Sequence, residues 1–121
     1  MKDAKSNPLA QKSYSFALQI VLICKSLMNE KKEFILSKQL LRSGTSIGAN
    51  IAEANGAIST SDFSAKISIA YKESLETKYW LSMLKDAEYI SHEDIERLHP
   101  LADELSRILF SILKSTRLKK I

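Results

Sequence analysis

At 121 residues, with 45% hydrophobic content and one cysteine, the sequence has the length of a single domain, 1–121, and needs no disulfide staples to fold. The lone thiol excludes an intramolecular disulfide, and no stretch reaches the ~20 apolar residues of a membrane span or resembles a signal peptide, so a cytoplasmic protein is expected. Lys and Arg total 18 against 14 Asp and Glu, a net charge of +4 that is compatible with a nucleic-acid partner without demanding one.

Only three glycines and two prolines punctuate the chain, and the helical period fits it four times. The first helix is expected over 8–29, with Asn7 as cap and Pro8 at its first position. Leu9, Phe16, Ala17, Ile20, Cys24, Leu27 and Met28 form its inner face. Cys24 reads as a small buried apolar residue rather than a reactive thiol. The charged run Asn29 to Glu33 closes this helix. The second spans about 34–55, with Leu36, Leu40, Gly44, Ile47 and Ile51 inward and Asn55-Gly56 as its stop.

The third helix, about 62–88, begins after Ser61 or Asp62, either of them a suitable cap. Phe63, Ile67, Ala70, Ser74, Thr77, Leu81 and Leu84 follow at steps of three and four. Ser91 with Asp94 resembles a capping box and opens the fourth helix, 92–118, which turns Ile95, Leu98, Ala102, Leu105, Leu109, Ile112 and Leu113 inward. Pro100 inside this pattern predicts a kink, or else a short separate helix before it. Connections this short make neighbouring helices antiparallel, so the expected fold is an all-α, up-down-up-down four-helix bundle.

The first and third helices carry more apolar surface than such a bundle needs. Tyr14, Leu18 and Leu22 lie far round from the Ile20 face, and Ile69, Trp80, Met83 and Ala87 form a second stripe on the third helix, with Glu73 and Glu76 set within it. Aligned stripes containing a Trp and a Tyr point to a homo-oligomer interface; uneven packing within the monomer is the alternative. On the second helix, Gln39, Arg42, Ser46, Asn50 and Glu53 make a polar stripe opposite the apolar face. Short amides and hydroxyls fit a hydrogen-bonded structural or inter-subunit seam better than an open solvated face, with direct ligand contact as the alternative.

The run Gln39-Leu40-Leu41-Arg42-Ser43-Gly44-Thr45-Ser46-Ile47-Gly48-Ala49-Asn50-Ile51-Ala52-Glu53-Ala54 is not explained by periodicity alone. With Ser61-Asp62-Phe63 and Ile69-Ala70-Tyr71-Lys72-Glu73-Ser74-Leu75-Glu76, it resembles the bacterial four-helix-bundle proteins encoded in intervening sequences of 23S ribosomal RNA genes. That family is related to the accessory protein of diversity-generating retroelements. The resemblance covers nearly the whole chain and implies a homopentamer, no enzymatic activity and a nucleic-acid or ribonucleoprotein role. Gly48 stands where the family often has Pro and Ala54 where it often has Gly, departures that bear on the bend of the second helix.

Catalytic and metal readings find little support. A di-iron bundle needs two Glu-x-x-His pairs, and Glu96 with His99 is the one match, lying off the inner stripe of its helix. His92 is also on the outer side, and no zinc-ligand spacing exists. Arg97 and His99, two residues apart, face different ways, so they do not form an acid–base and phosphate pair. No catalytic residue, metal site, cofactor or small-molecule substrate is expected.

In an up-down bundle the end holding both termini collects Lys2, Lys5, Lys12, Lys114, Arg117, Lys119 and Lys120, opposed mainly by Asp3 and Asp62. The other end mixes both signs. A cyclic oligomer would repeat the basic end in every subunit and so build one positive face. The leading expectation is a non-catalytic scaffold that binds RNA or DNA there. The alternative is an adaptor for a nucleic-acid-handling protein such as a reverse transcriptase, because the sequence lacks the aromatic-basic interleaving that stacks on bases.

Overall fold

Asn7 and Pro8 start the first helix as their chemistry requires. The Asn7 side-chain oxygen accepts a hydrogen bond from the Ala10 amide at 3.1 Å, and Pro8 takes a first-turn position where no amide hydrogen is needed. The computed structural model describes residues 7–119, with side chains through Thr116. Helix α1 runs Pro8–Glu30, α2 Ile35–Asn55, α3 Thr60–Asp86 and α4 His92–Lys119, and no strand occurs among the described residues.

The starts of α2 and α3 and the end of α3 are set by contacts that the helical period does not fix. Phe34, at the cap position of α2, supplies no side-chain hydrogen bond. Glu33 reaches forward instead, accepting from the amides of Ile35, Leu36 and Ser37 and from the Ser37 hydroxyl. Burial alone would push the Glu33 carboxyl up. The bonds from the Ser37 amide, the Leu36 amide, the Ser37 hydroxyl and the Ile35 amide outweigh it and hold the carboxyl below its usual value. At α3 the cap is Ser59 rather than Ser61 or Asp62. The Ser59 hydroxyl accepts from the Asp62 amide at 3.0 Å, while the Asp62 carboxylate accepts from the Ile58 amide, a reciprocal arrangement like a capping box. That moves the start of the helix two residues back and makes Asp62 part of its first turn. At its other end α3 stops through Glu88 in a left-handed conformation (φ 66°), with the Tyr89 amide returning to the Leu84 carbonyl at 2.8 Å. Helix α4 starts as expected, Ser91 accepting from the Asp94 amide at 3.1 Å, and continues unbroken through Pro100. No separate helix precedes the proline.

Helices adjacent in sequence pack side by side, and α1 and α4 meet least closely. Partners across each seam run in opposite directions. On α1 and α2 the Cys24 thiol donates to the Ser37 carbonyl at 3.3 Å, and Ile20 lies over Gly44. Between α2 and α3, Thr77 bonds Ser43; between α3 and α4, Ser74 bonds Ser106 and Lys78 pairs with Asp103. Lys12 with Glu104, and Arg97 with Gln19, link α4 to α1.

The core is the set the helical period selects: Phe16 and Ile20 from α1, Leu40, Ile47 and Ile51 from α2, Ile67, Leu81 and Leu84 from α3, and Leu98, Leu105 and Leu109 from α4, all nearly inaccessible. Buried hydroxyls sit among them. Ser13, Ser43, Ser74, Thr77 and Thr116 each bond a carbonyl three or four residues back in their own helix, so their burial leaves no polar group unsatisfied.

Candidate functional site

The exterior, not the interior, carries the unexplained chemistry. On α1, Tyr14, Leu18 and Leu22 are 64%, 49% and 63% exposed, a continuous apolar stripe on the outside of the bundle. On α3, Ile69 and Met83 are also exposed, but Trp80 departs from the expected stripe. Its ring is half-buried against the core, its indole N–H donates to the Glu76 carboxylate at 3.1 Å, and Tyr79 meets it edge-on with ring centroids 5.0 Å apart. Leu75 and Tyr79, which the stripe did not include, are exposed on the same helix.

The polar stripe of α2 lies along its seam with α3. Arg42 bridges Glu73, at 3.1 Å, and Glu76. The Ser46 hydroxyl donates to the Arg42 carbonyl at 2.6 Å, and the Asn50 amide donates to the Ser46 carbonyl at 2.8 Å. Glu53 closes the row with Lys66 at 3.0 Å, a contact that holds the Lys66 ammonium above its usual value through hydrogen bonding and charge. Gln39 is exposed at the far end. Glu73 and Glu76, which interrupt the apolar stripe of α3, are therefore the partners of Arg42.

The basic end is less open than the sequence implied. Lys12 pairs with Glu104 of α4 at 3.0 Å, a carboxylate that the charge distribution along the sequence had not placed there. Lys114 is exposed and makes no ion pair among the described residues. Arg117 and Lys119 fall on the last turn of α4 with their side chains outside the described set, and Lys2, Lys5 and Lys120 lie outside the described residues altogether.

Two arrangements bear on chemistry. His92 lies 2.8 Å from Glu96 on the outer face of α4, and Arg97 is held by Asp94 at 3.0 Å and by Gln19, away from His99. No cluster of three metal-ligating side chains occurs among the described residues. The Cys24 thiol is buried, and burial first, then the charge of Glu33, pushes it up to about 12, which keeps it protonated and inert. No described helix is long and apolar enough to cross a membrane. An open hollow of about 560 Å³ between the end of α1 and the α3–α4 turn is lined by both charges, Lys31 and Lys85 with Glu30, Glu88 and Asp94.

One grouping was invisible in the sequence. Tyr71 of α3 and Phe110 of α4, thirty-nine positions apart, meet on the outer α3–α4 seam with ring centroids 5.7 Å apart and planes inclined at 42°. Phe110 remains half exposed, and Arg107 and Lys114 stand one turn to either side of it on α4.

These features define a small four-helix bundle that carries apolar and aromatic side chains outside as well as inside. The chain belongs to the 23S rRNA-intervening sequence protein family, whose model matches residues 5–111. Among solved structures it is similar to a protein of unknown function from the S23 ribosomal protein family of Bacteroides thetaiotaomicron VPI-5482. The two are 51% identical, and the match covers 88% of this chain and 98% of that one with a TM-score of 0.86. No curated protein matches the chain.

Proposed function

We propose that this protein is a non-catalytic scaffold of the cytoplasm that assembles with copies of itself, as a pentamer, and binds RNA or DNA through basic surface repeated around the assembly. The observation that carries the reading is the outer stripe of Tyr14, Leu18 and Leu22. Three large apolar side chains in line on one helix are a poor arrangement for water and a good one for a subunit contact. The subunit number rests on the family resemblance. The nucleic-acid partner rests on the excess of basic residues and on the ribosomal names of the family and of a similar solved structure. The sealed thiol of Cys24 supports a role without nucleophilic chemistry.

Light scattering together with mobility shifts over a salt series tests both halves. Leu18→Glu should dissociate the assembly and keep its helical circular dichroism; a wild type of monomeric mass at micromolar concentration refutes assembly. Changing Lys114, Arg117, Lys119 and Lys120 to Gln should weaken binding on all sequences and reduce the slope of log affinity against log salt by about one unit per lost phosphate contact. The same change at Lys25, Lys31, Lys32 and Lys38 should do less.

A second reading, an adaptor for a nucleic-acid-handling enzyme such as a reverse transcriptase, is favoured by the pairing of the cations. Lys12, Arg42, Lys66, Lys78, Arg97 and Arg107 each already hold a carboxylate. An assembly that binds no nucleic acid at low salt selects it.

A further inference from the structure

We infer that the Phe110–Tyr71 pair on the outer α3–α4 seam, flanked by Arg107 and Lys114, is a stacking platform for an unpaired base of single-stranded nucleic acid. This rests on the nucleic-acid reading above and gives it a location and a preferred ligand form. Phe110 is 49% exposed, with Tyr71 supporting one side of it. The pair is held in place from below, since Ser74 and Ser106 bond each other at 2.7 Å one turn inward along the same seam.

Charge selects the occupant. Arg107 and Lys114 lie three residues before and four after Phe110, so they share its face of the helix about 10 Å apart along the axis. The carboxylate on this face, Asp103, is already bonded by Lys78 at 3.1 Å and by Arg107 at 2.9 Å. Lys78, Arg107 and Lys114 against Asp103 leave the surround of the ring positive. Two of the other exposed aromatic residues lie beside acids instead: Tyr79 has Glu76 one turn away on α3, and Phe34 adjoins Glu33. An aromatic face between two cations matches a ligand that offers a flat base and a phosphate in each repeat. A single strand offers its bases for stacking, whereas a duplex keeps them paired and stacked inside.

Fluorescence anisotropy on the intact protein, with a labelled uridine oligonucleotide and a blunt RNA duplex of equal length, tests the inference. The wild type should prefer the single strand. Phe110→Leu, which keeps apolar bulk and removes the π face, should lose roughly ten-fold in affinity for the single strand and little for the duplex, at unchanged salt slope. Phe110→Trp should restore the lost affinity. Lys114→Gln should lower the salt slope by about one unit on both ligands. Binding of the single strand by Phe110→Leu within about two-fold of wild type overturns the platform and leaves the scaffold reading intact. An equal loss on both ligands, or a fall in assembly mass, overturns it in favour of an interface between copies. A wild type that binds neither ligand at low salt sinks the platform and the nucleic-acid reading together.

Discussion

Replacing Gly44 and Gly48 by alanine, one turn apart on α2, should change stability in opposite directions. A methyl group added at Gly44 would lie 2.8 Å from Ile20 Cγ2 and 3.0 Å from Cγ1, well inside the ~3.5–4.0 Å at which carbon atoms attract. Ile20 is wholly buried, and its branched side chain has one strongly preferred rotamer in a helix, so it cannot swing aside. Overpacking of this kind costs about 1–3 kcal/mol, against about 1 kcal/mol gained from replacing a helical glycine. At Gly48 the nearest atoms are the Ser13 hydroxyl at 3.4 Å and the Ser13 carbonyl oxygen at 3.5 Å, ordinary contacts, so the gain stands almost alone. Gly44→Ala should therefore destabilise by up to about 2 kcal/mol and Gly48→Ala stabilise by up to about 1 kcal/mol. Urea denaturation followed by circular dichroism at one fixed protein concentration measures both. Adding Ile20→Val to the Gly44 variant should recover part of the loss, as coupled neighbours do. If Gly44→Ala is as stable as Gly48→Ala, the close approach of α1 to α2 is wrong.

Other predictions follow from the helix ends and the thiol. Glu33→Ala should cost about 1 kcal/mol at neutral pH, as loss of a helix cap does. Because the folded-state carboxyl is held below its unfolded value, near 4.3, the contribution is present above that value and disappears as pH falls through the lower folded one; denaturation of wild type and variant should therefore converge in acid. Glu88→Gly, at a left-handed position, should stabilise by about 1 kcal/mol, read as a higher Tm; a lower Tm would show that the Glu88 side chain matters more than its backbone. Cys24 should react with a thiol reagent at mildly alkaline pH only as fast as the protein unfolds. Labelling of native protein at the rate of the denatured chain refutes its burial.

What was legible in the sequence was whatever a single helix decides by itself. The spacing of Phe16, Ile20, Cys24 and Leu27, or of Leu98, Ala102, Leu105 and Leu109, names an inner face without reference to any other helix, and Asn7 with Pro8 names a start. The cap of α3 was misplaced because Ser59, Ser61 and Asp62 all have cap chemistry, and the choice among them depends on where the turn from α2 delivers the chain. Features that belong to two helices were out of reach. Glu73 and Glu76 read as interruptions of an apolar stripe until Arg42 is set beside them. Lys12 read as an open cation until Glu104 is. Phe110 and Tyr71 share no sequence neighbourhood, so their pairing was out of reach, although Arg107, Phe110 and Lys114 share one face of α4 and could have been read there.

The looseness of the α1–α4 seam has a kinetic consequence. Three of the four seams join helices consecutive in the chain, each closed over a turn of a few residues, whereas the fourth joins the first helix to the last and is the least closely packed. Bringing distant segments together must precede any contact that rewards it, and that entropic cost grows with the intervening length. Here the most distant pairing carries the least, so it has little leverage on the transition state. Each helix can dock on its predecessor as a local hairpin, and refolding of the monomer should fall in the microsecond-to-millisecond range of helical bundles, with α1 and α4 meeting only after the hairpins have formed.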